Sequence, residues 1–395
     1  MKKFALVSLA LPPSQSGQSM VLYHLFKKFN PENYCMITLK NFHLYKNQGT
    51  GSTKLAAKYY FLSPDFQVIR LLVQSACLFH SRLLLTIILN FRKNQIKKIL
   101  IKERCGAVIG CTGDLFDPPA AYLAAKELGI PFILYTFDFY SRQWTHPFLR
   151  GFSEENEKEL LNGAHSVIVP NKCMKDEYLT RYGVQASVIH NPFDLTEYER
   201  NAGNDVQNIS HEPQIVYTGA IYDANFSAFH NLITAMEKTK IPGLKLHVYT
   251  PQSENYLKKN AIEGPVVYHK HLPNNLIPAV QRAADILFLP LAFNSPYPEI
   301  IKTSAPGKIG EYLAAKKPVL VHAPQGSFVS WYFRHYRCGC VVDEDNTDKL
   351  AEAILQLIND IELRKKLSVN AYARAANDFD LLIAQKKIHD LLTSL

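Results

Sequence analysis

The chain of 395 residues is poor in several features that would have pointed elsewhere. It has no uninterrupted apolar run of the roughly 18 residues that a membrane-crossing helix requires, so no segment reads as a span. It has no low-complexity tract and no short repeat of solenoid period, which sets aside stacked-repeat architectures. Its seven cysteines are odd in number and scattered, the usage of free thiols in a reducing compartment. Cys338-Gly-Cys340 lacks the spacing of a zinc pair and has no second pair nearby, so it reads as the edge of a strand, and no metal is expected. A basic start, Lys2-Lys3, and a short apolar run to Leu11 could pass for an export signal. Phe4–Ala10 reads better as the first buried strand of an α/β domain, because the sequence runs straight on into a helical pattern.

Acidic residues are scarce in the first third of the chain. Residues 1–126 carry 17 Lys and Arg against 5 Asp and Glu, while the remainder carries 27 against 30. A nucleic-acid patch or an anionic membrane surface would each explain such an excess. Between residues 68 and 102, apolar segments are interrupted by Arg70, Arg82, Arg92, Lys93, Lys97, Lys98 and Lys102, without the aromatic platforms of a single-strand binder. Two readings stand: a solvated helix face over a core, or peripheral contact with an anionic membrane. No element that would read or stack nucleic-acid bases is found, so nucleic acid is not expected as a partner.

Strands and helices alternate along both halves. The first half predicts strands at 4–10, 34–39, 107–111, 131–135, 166–169 and 186–189, with helices near 19–29, 66–104, 118–128, 154–162 and 172–181. A polar, apolar-poor stretch from Asn201 to Pro213 then reads as a linker. The alternation restarts with strands at 215–219, 244–249, 266–268, 286–290, 318–321 and 339–342, and helices near 226–239, 252–262, 274–284, 306–316, 346–358 and 360–376. A last amphipathic helix covers 379–395. This order implies two mostly parallel sheets wound by helices, with ligands at the carboxyl ends of the strands.

The most informative stretch runs from Lys302 to Val321 and reads as loop, helix, turn and buried strand. Pro306 suits a first helical position and Pro318 ends the segment. Lys308 and Glu311 share one helical face near the helix start, where unpaired backbone N–H groups attract anions. A phosphate would meet amides and an ammonium there. The Glu311 carboxylate, one turn further in, offers two acceptor oxygens to the cis-diol of a ribose. An isolated Lys-x-x-Glu is also the pattern of an ordinary surface ion pair, so context must decide.

That context is Ser304-x-Pro-x-Lys308-x-x-Glu311-Tyr-Leu-Ala-Ala-x-Lys-Pro-Val-Leu320, which resembles the donor-site helix of nucleotide-sugar glycosyltransferases of the family 4 (group 1) kind. The Ser-x-Pro-x-Lys-x-x-Glu-Tyr form is similar to a subset that includes capsule and teichuronic-acid transferases. The resemblance implies the GT-B fold: two Rossmann-like, doubly wound parallel-sheet domains facing across a cleft. It implies an acceptor domain at 1–195, joined by the terminal helix 379–395 crossing back, and a donor domain at 196–378. Ile189-His-Asn-Pro-Phe-Asp194 resembles the asparagine-proline element that ends the first of these domains.

The resemblance further implies a donor site formed by Gly17, Gly219, Thr250, His271, Leu272, Ser304, Gly307, Lys308 and Glu311. The chain departs from the pattern in three places. It has Gly17 alone in the Pro12–Ser19 loop where relatives carry a glycine pair, and Tyr222 and Asp223 where relatives place Arg and Lys after Gly219. Thr303 occupies the position of the glutamate that touches the sugar, with Glu299 the nearest substitute.

On the acceptor side, Asp138 follows the apolar strand and lies among Tyr135, Phe137, Phe139 and Tyr140, where a partly desolvated carboxylate gains basicity. It is either a catalytic group or a cap; His146 is a rival base, and Asp114 and Asp117 read as caps. Asp378-Phe-Asp380 has a metal-like spacing without a strand before it, and reads as noise.

The expected activity is transfer of a sugar from a nucleotide-diphosphate sugar to a saccharide or lipid-linked acceptor in cell-surface polysaccharide biosynthesis, without metal or cofactor. Lys308 would be catalytic by neutralising the leaving diphosphate. With retention of configuration Asp138 positions the acceptor; with inversion it takes the acceptor's proton. The expected place is the cytoplasm, and, on the membrane-contact reading of residues 68–102, the inner face of the plasma membrane. The rival readings are a nucleotide-sugar 2-epimerase of the same fold and a non-enzymatic two-lobed binding protein.

Overall fold

A computed structural model describes residues 2–14, 16–40, 54–203 and 212–395. Most of the 201–213 linker read from the sequence therefore lies outside the described residues. The chain forms two compact units, Met1–His190 with Ala384–Leu395, and Asn191–Ile383.

In the first unit the strands are β1 (Phe4–Val7), β2 (Tyr34–Leu39), β3 (Lys58–Leu62), β4 (Ala107–Cys111), β5 (Phe132–Tyr135), β6 (Ser166–Val169) and β7 (Ser187–Val188). They pair in parallel in the order β3-β2-β1-β4-β5-β6-β7. The helices are α1 (Gly17–Phe26), α2 (Phe66–Leu78), α3 (Arg82–Glu103), α4 (Asp117–Leu128), α5 (Pro147–Gly163) and α6 (Lys172–Tyr182). β1, β2, β4 and β5 are buried along their whole length, which is why their sequences are continuous apolar runs rather than alternating ones.

The second unit contains α7 (Leu195–Asn201), β8 (Gln214–Thr218), α8 (Phe226–Thr239), β9 (Lys245–Thr250), α9 (Glu254–Lys259), β10 (Val266–Lys270), α10 (Ile277–Ala283), β11 (Ile286–Pro290) and α11 (Pro298–Thr303). It continues with α12 (Ile309–Ala314), β12 (Val319–His322), α13 (Phe328–His335), β13 (Cys340–Val342), α14 (Thr347–Asn359), α15 (Ile361–Arg374) and the start of α16 (Leu381–Thr393). The strand order is β10-β9-β8-β11-β12-β13, again all parallel. The order reverses between β1 and β4 in one sheet and between β8 and β11 in the other, and such switch points open a crevice at the carboxyl ends of the strands.

The last turns of α16 pack on the first unit, with Ala384, Ile388 and Leu392 in the core that holds Phe4, Leu22 and Phe26. Gln385 Nε2 donates to His24 O (2.9 Å) and Lys387 Nζ to Val188 O (3.0 Å).

Helices α7, α11 and α13 were not expected, and four further details differ from the sequence expectation. The helix expected over 66–104 is two helices, because His80 takes a left-handed φ of 47° and the Ser81 hydroxyl caps α3 by accepting from Leu84 N. β3 was not expected; its mixed, half-exposed pattern is that of an edge strand. Arg92 does not belong to a solvated basic face: it is 1 % exposed and paired with the fully buried Asp117. Asp117 is therefore an ion-pair partner as well as the first residue of α4, while Asp114 is not its N-cap, which is Phe116 without a side-chain bond, but closes the turn before it, accepting from Phe116 N and Asp117 N at 2.8 Å.

The fourth is the helix expected over 306–316. It covers only Ile309–Ala314, with Gly307 and Lys308 forming a turn before it rather than its first residues. Ser304 and Ala305 leave α11 in extended conformation, Ile309 N donates to Pro306 O (3.1 Å), and Lys316 terminates the segment with a φ of 59°.

Candidate functional site

The carboxyl end of β8 carries Thr218 and Gly219. Gly219 has a φ of 121°, a conformation that side chains resist, and a Cβ built there would stand 2.9 Å from Lys308 Nζ. The turn is tied down from two sides. Tyr217 Oη donates to Ala220 O (2.6 Å), and Ile221 N donates to Gln252 Oε1 (3.0 Å). The same amide oxygen accepts from the Thr250 hydroxyl at the end of β9, which places Thr250 behind the Gly219 turn as a brace.

Lys308 reaches this turn from the residue before α12, and its ammonium lies 3.7 Å from the centroid of the Tyr217 ring. An aromatic face holds a cation without neutralising it, so the charge stays available to an anion. Burial pushes Lys308 down to about 7, with the nearby Glu311 opposing the shift. Burial in turn raises the Glu311 carboxyl, opposed by its hydrogen bond from Gln281 and by Lys308. Each group is thus displaced toward its neutral form in the absence of a ligand.

Glu311 is held in place from below. Gln281, fully buried on α10, donates from Nε2 to Glu311 Oε2 and to Thr218 Oγ1, both at 3.1 Å, and its Oε1 accepts from Tyr198 Oη at 2.8 Å. Tyr312 Oη accepts from Thr218 N at 3.0 Å, fixing α12 against β8. The helix can approach so closely because Gly310 has no side chain; a Cβ there would lie 2.5 Å from the Phe193 ring. Asn191 Nδ2 donates to Ala305 O (2.8 Å), anchoring the loop that contains Ser304 and leads to Gly307. Sequence reasoning missed Gln281, Tyr198 and Tyr217. A glutamine inside a helix and tyrosines in a strand and a short helix carry no signal until the fold brings them under Lys308 and Glu311.

The remaining donor-side residues stand apart. His271 is exposed and Leu272 half-buried, in the segment that leaves β10 beside the end of β9, since Lys270 pairs with Thr250. Among the described residues no hydrogen bond or ion pair joins them to Lys308 or Glu311. Gly307 lies exposed with open space around its Cα. Thr303, at the position of the missing glutamate, is buried and donates its hydroxyl to Glu299 O (3.1 Å), a structural task.

In the first unit, Gly17 begins α1 with open space around it, and the helix is capped by Ser16, whose Oγ accepts from Ser19 N (3.2 Å). Gln18 Nε2 donates to Ser8 Oγ and Thr112 O, both at 2.9 Å, which joins the loops after β1 and β4 at the switch point. Asp138 follows β5 in a segment fixed at both ends. Phe137 N donates to Thr112 Oγ1 (2.9 Å), and Ser141 N and Oγ donate to the buried Glu157 (3.1 and 2.5 Å). Asp138 itself has no partner among the described residues, and burial raises its carboxyl to about 6. His146 is exposed at the start of α5 and makes no capping bond. Asp378 is occupied by Arg374 and Tyr332. Among the described residues no group of three or more His, Cys, Asp or Glu is placed to hold a metal ion.

Comparison with known proteins gives the enzyme class and the fold. Residues 212–360 match the sequence model described as Glycosyl transferases group 1, and residues 62–197 match Glycosyltransferase Family 4. The chain is a glycosyltransferase of the GT-B fold. Sucrose-phosphate synthase from Thermosynechococcus elongatus superposes with a TM-score of 0.71 at 15% identity, covering 100% of this chain and 99% of that one. Anabaena HepE in complex with UDP gives 0.68 at 15% identity over 100% of both chains. The α,α-trehalose 6-phosphate synthase of Burkholderia multivorans gives 0.69 at 10% identity, over 100% of this chain and 99% of that one. No curated protein sequence matches the chain. The two sequence models carry the enzyme class and the superpositions carry the fold; the Ser-x-Pro-x-Lys subset is tested by neither.

Proposed function

We propose that this glycosyltransferase moves a sugar from a nucleotide-diphosphate sugar to a saccharide or lipid-linked acceptor in cell-surface polysaccharide biosynthesis, with retention of configuration and without a metal. The carrying observation is the pairing of Lys308, held over Tyr217 beside the Gly219 turn, with Glu311, held by Gln281. A diphosphate on the Gly219 turn meets the Lys308 ammonium, and the ribose hydroxyls reach the Glu311 carboxylate. That HepE has been solved with UDP and with UDP-glucose supports a uridine donor for this chain.

In the reaction the bond from the anomeric carbon to the β-phosphate oxygen breaks while the acceptor oxygen bonds to that carbon. Charge grows on the departing diphosphate, and Lys308 stabilises it there. With retention the acceptor's proton passes to the departing phosphate oxygen, and Asp138 orients the acceptor hydroxyl. Gly17, Thr250, His271, Leu272, Ser304 and Gly307 complete the donor contacts in this reading. The enzyme works in the cytoplasm at the inner face of the plasma membrane, touching anionic lipid through residues 68–102.

Thermal unfolding with UDP-, GDP-, ADP- and CMP-sugars tests the donor site, because a ligand that binds only the folded state raises the midpoint. The expected result is stabilisation by one nucleotide family that Lys308→Ala and Glu311→Ala both abolish. Stabilisation that survives both substitutions would place the donor elsewhere.

A further inference from the structure

Large apolar side chains left in water concentrate on the helical hairpin α2–α3. Leu78, Phe79 and Leu83, at the turn between the helices, are 74 %, 75 % and 71 % exposed. Behind them, exposed Leu71 continues the stripe on α2, and Ile87 and Phe91 continue it on α3 at four-residue spacing. The opposite faces, with Ile69 and Ala76 on α2 and Leu85, Ile88 and Ile96 on α3, are in the core. The hairpin is thus anchored by one face and presents a second apolar face that nothing in the described chain covers. Monomeric proteins seldom leave so contiguous a patch in water without a use for it.

Charge says what the patch meets. Residues 66–102 contain no acidic residue. Arg92 is buried with Asp117, Lys93 and Lys97 share Glu127, and Arg82 pairs with Glu155. Arg70, Lys98 and Lys102 are exposed, as is Arg104 at the end of α3, and none has a carboxylate partner among the described residues. Arg70 lies two turns before the tip on α2, and Lys98, Lys102 and Arg104 lie in the last turns of α3 and just past its end. A hairpin lying flat would present an apolar stripe together with cations that have no carboxylate partner, which matches the boundary of a bilayer bearing negative headgroups. A second copy of the chain would bring the same acid-free surface to the interface, where those cations would find no counter-charge. No helix of the described residues is long and apolar enough to cross a membrane, so the hairpin lies on the bilayer rather than through it.

We propose that the α2–α3 hairpin is the membrane-docking element of this enzyme, with Leu78, Phe79 and Leu83 entering the lipid interface and Arg70, Lys98, Lys102 and Arg104 contacting anionic headgroups. This deepens the membrane contact in the functional reading above, and it assigns the acceptor to the lipid-linked class, presented at the same surface.

Flotation of the full chain with phosphatidylcholine vesicles, with and without phosphatidylglycerol, tests the proposal. Binding is expected only where phosphatidylglycerol is present and weakens as salt rises. Leu78→Glu with Phe79→Glu lowers partition by about tenfold or more, since each side chain removes most of a large apolar surface from the interface. Arg70→Glu with Lys98→Glu abolishes the preference for anionic vesicles. All four positions are exposed, so nucleotide-sugar stabilisation in the thermal assay stays unchanged in both variants. No binding to anionic vesicles, or equal binding by the Leu78/Phe79 variant, overturns the proposal. So does a wild-type dimer in solution that this variant converts to monomer, because the face is then an interface between copies. Vesicle binding without any nucleotide-sugar stabilisation would instead leave docking intact and remove the transferase reading of the donor site.

Discussion

Burial brings Lys308 near its titration point, so donor binding at the proposed site should take up a proton. Burial lowers the ammonium from its ordinary 10.5 to about 7, so about half is charged at neutral pH and about one part in a hundred at pH 9. A bound diphosphate supplies the missing counter-charge and returns the group toward its ordinary value. Only the ammonium form binds well, so affinity should fall by about 50-fold between pH 7 and pH 9, or about 2.3 kcal/mol. The diphosphate of a nucleotide sugar is esterified at both ends and does not titrate in this range, so the pH dependence reports the protein.

Titration calorimetry at pH 8.5 in two buffers of different ionisation enthalpy should show uptake of about one proton per donor bound. Lys308→Met should bind weakly and without uptake, at an affinity flat in pH. The sign in the free protein is also set. The unfolded chain holds this proton up to about 10.5 and the folded chain only up to about 7, so stability conferred by neutral Lys308 rises with pH across that window. Lys308→Met is accordingly stabilised over wild type at pH 7 and below, and the difference fades as pH approaches 10. A wild-type affinity that is constant from pH 7 to 9, with no proton uptake, would refute the placement of Lys308 as a half-buried, poised cation.

Gln281→Met keeps the volume but removes the donor that holds Glu311 and the acceptor for Tyr198, so donor affinity should fall about tenfold and the melting midpoint should drop, as read by calorimetry and thermal unfolding. Burial raises Asp138 to about 6, so a rate that needs its carboxylate should show an acid limb near pH 6 in kcat/KM, and Asp138→Asn should lose that limb together with most of the activity. Arg92→Met leaves Asp117 buried without its cation and should cost about 3–5 kcal/mol in denaturant unfolding, whereas Arg92→Met with Asp117→Leu should recover most of that loss.

The alternation of buried strands and helices was legible in the sequence because a parallel sheet covered on both faces demands continuous apolar runs, and Phe4–Val7, Ala107–Cys111 and Ile286–Pro290 are such runs. The Lys308–Glu311 pair was legible because two chemically distinct groups three residues apart recur with a proline and a strand around them. The two-helix hairpin was less so: its apolar spacing continues through Phe79-His80-Ser81, and only the left-handed turn at His80 interrupts it.

By itself the sequence determined two wound parallel sheets and a basic, acid-free segment between residues 66 and 102, and it singled out Lys308 and Glu311 as the proposed nucleotide grip. Tertiary structure alone decided which side chains support that pair and which charges are free. Gln281, Tyr198 and Tyr217 come from three separate elements, and only the closing of β8 against α10 and α12 brings them together. Arg92 and Lys98 look alike in the chain, yet one is spent on Asp117 inside the core and the other is left in water. Pattern along the chain records which face a residue takes, since that follows from helical and strand periods; partnership depends on distances between segments that the chain order does not contain.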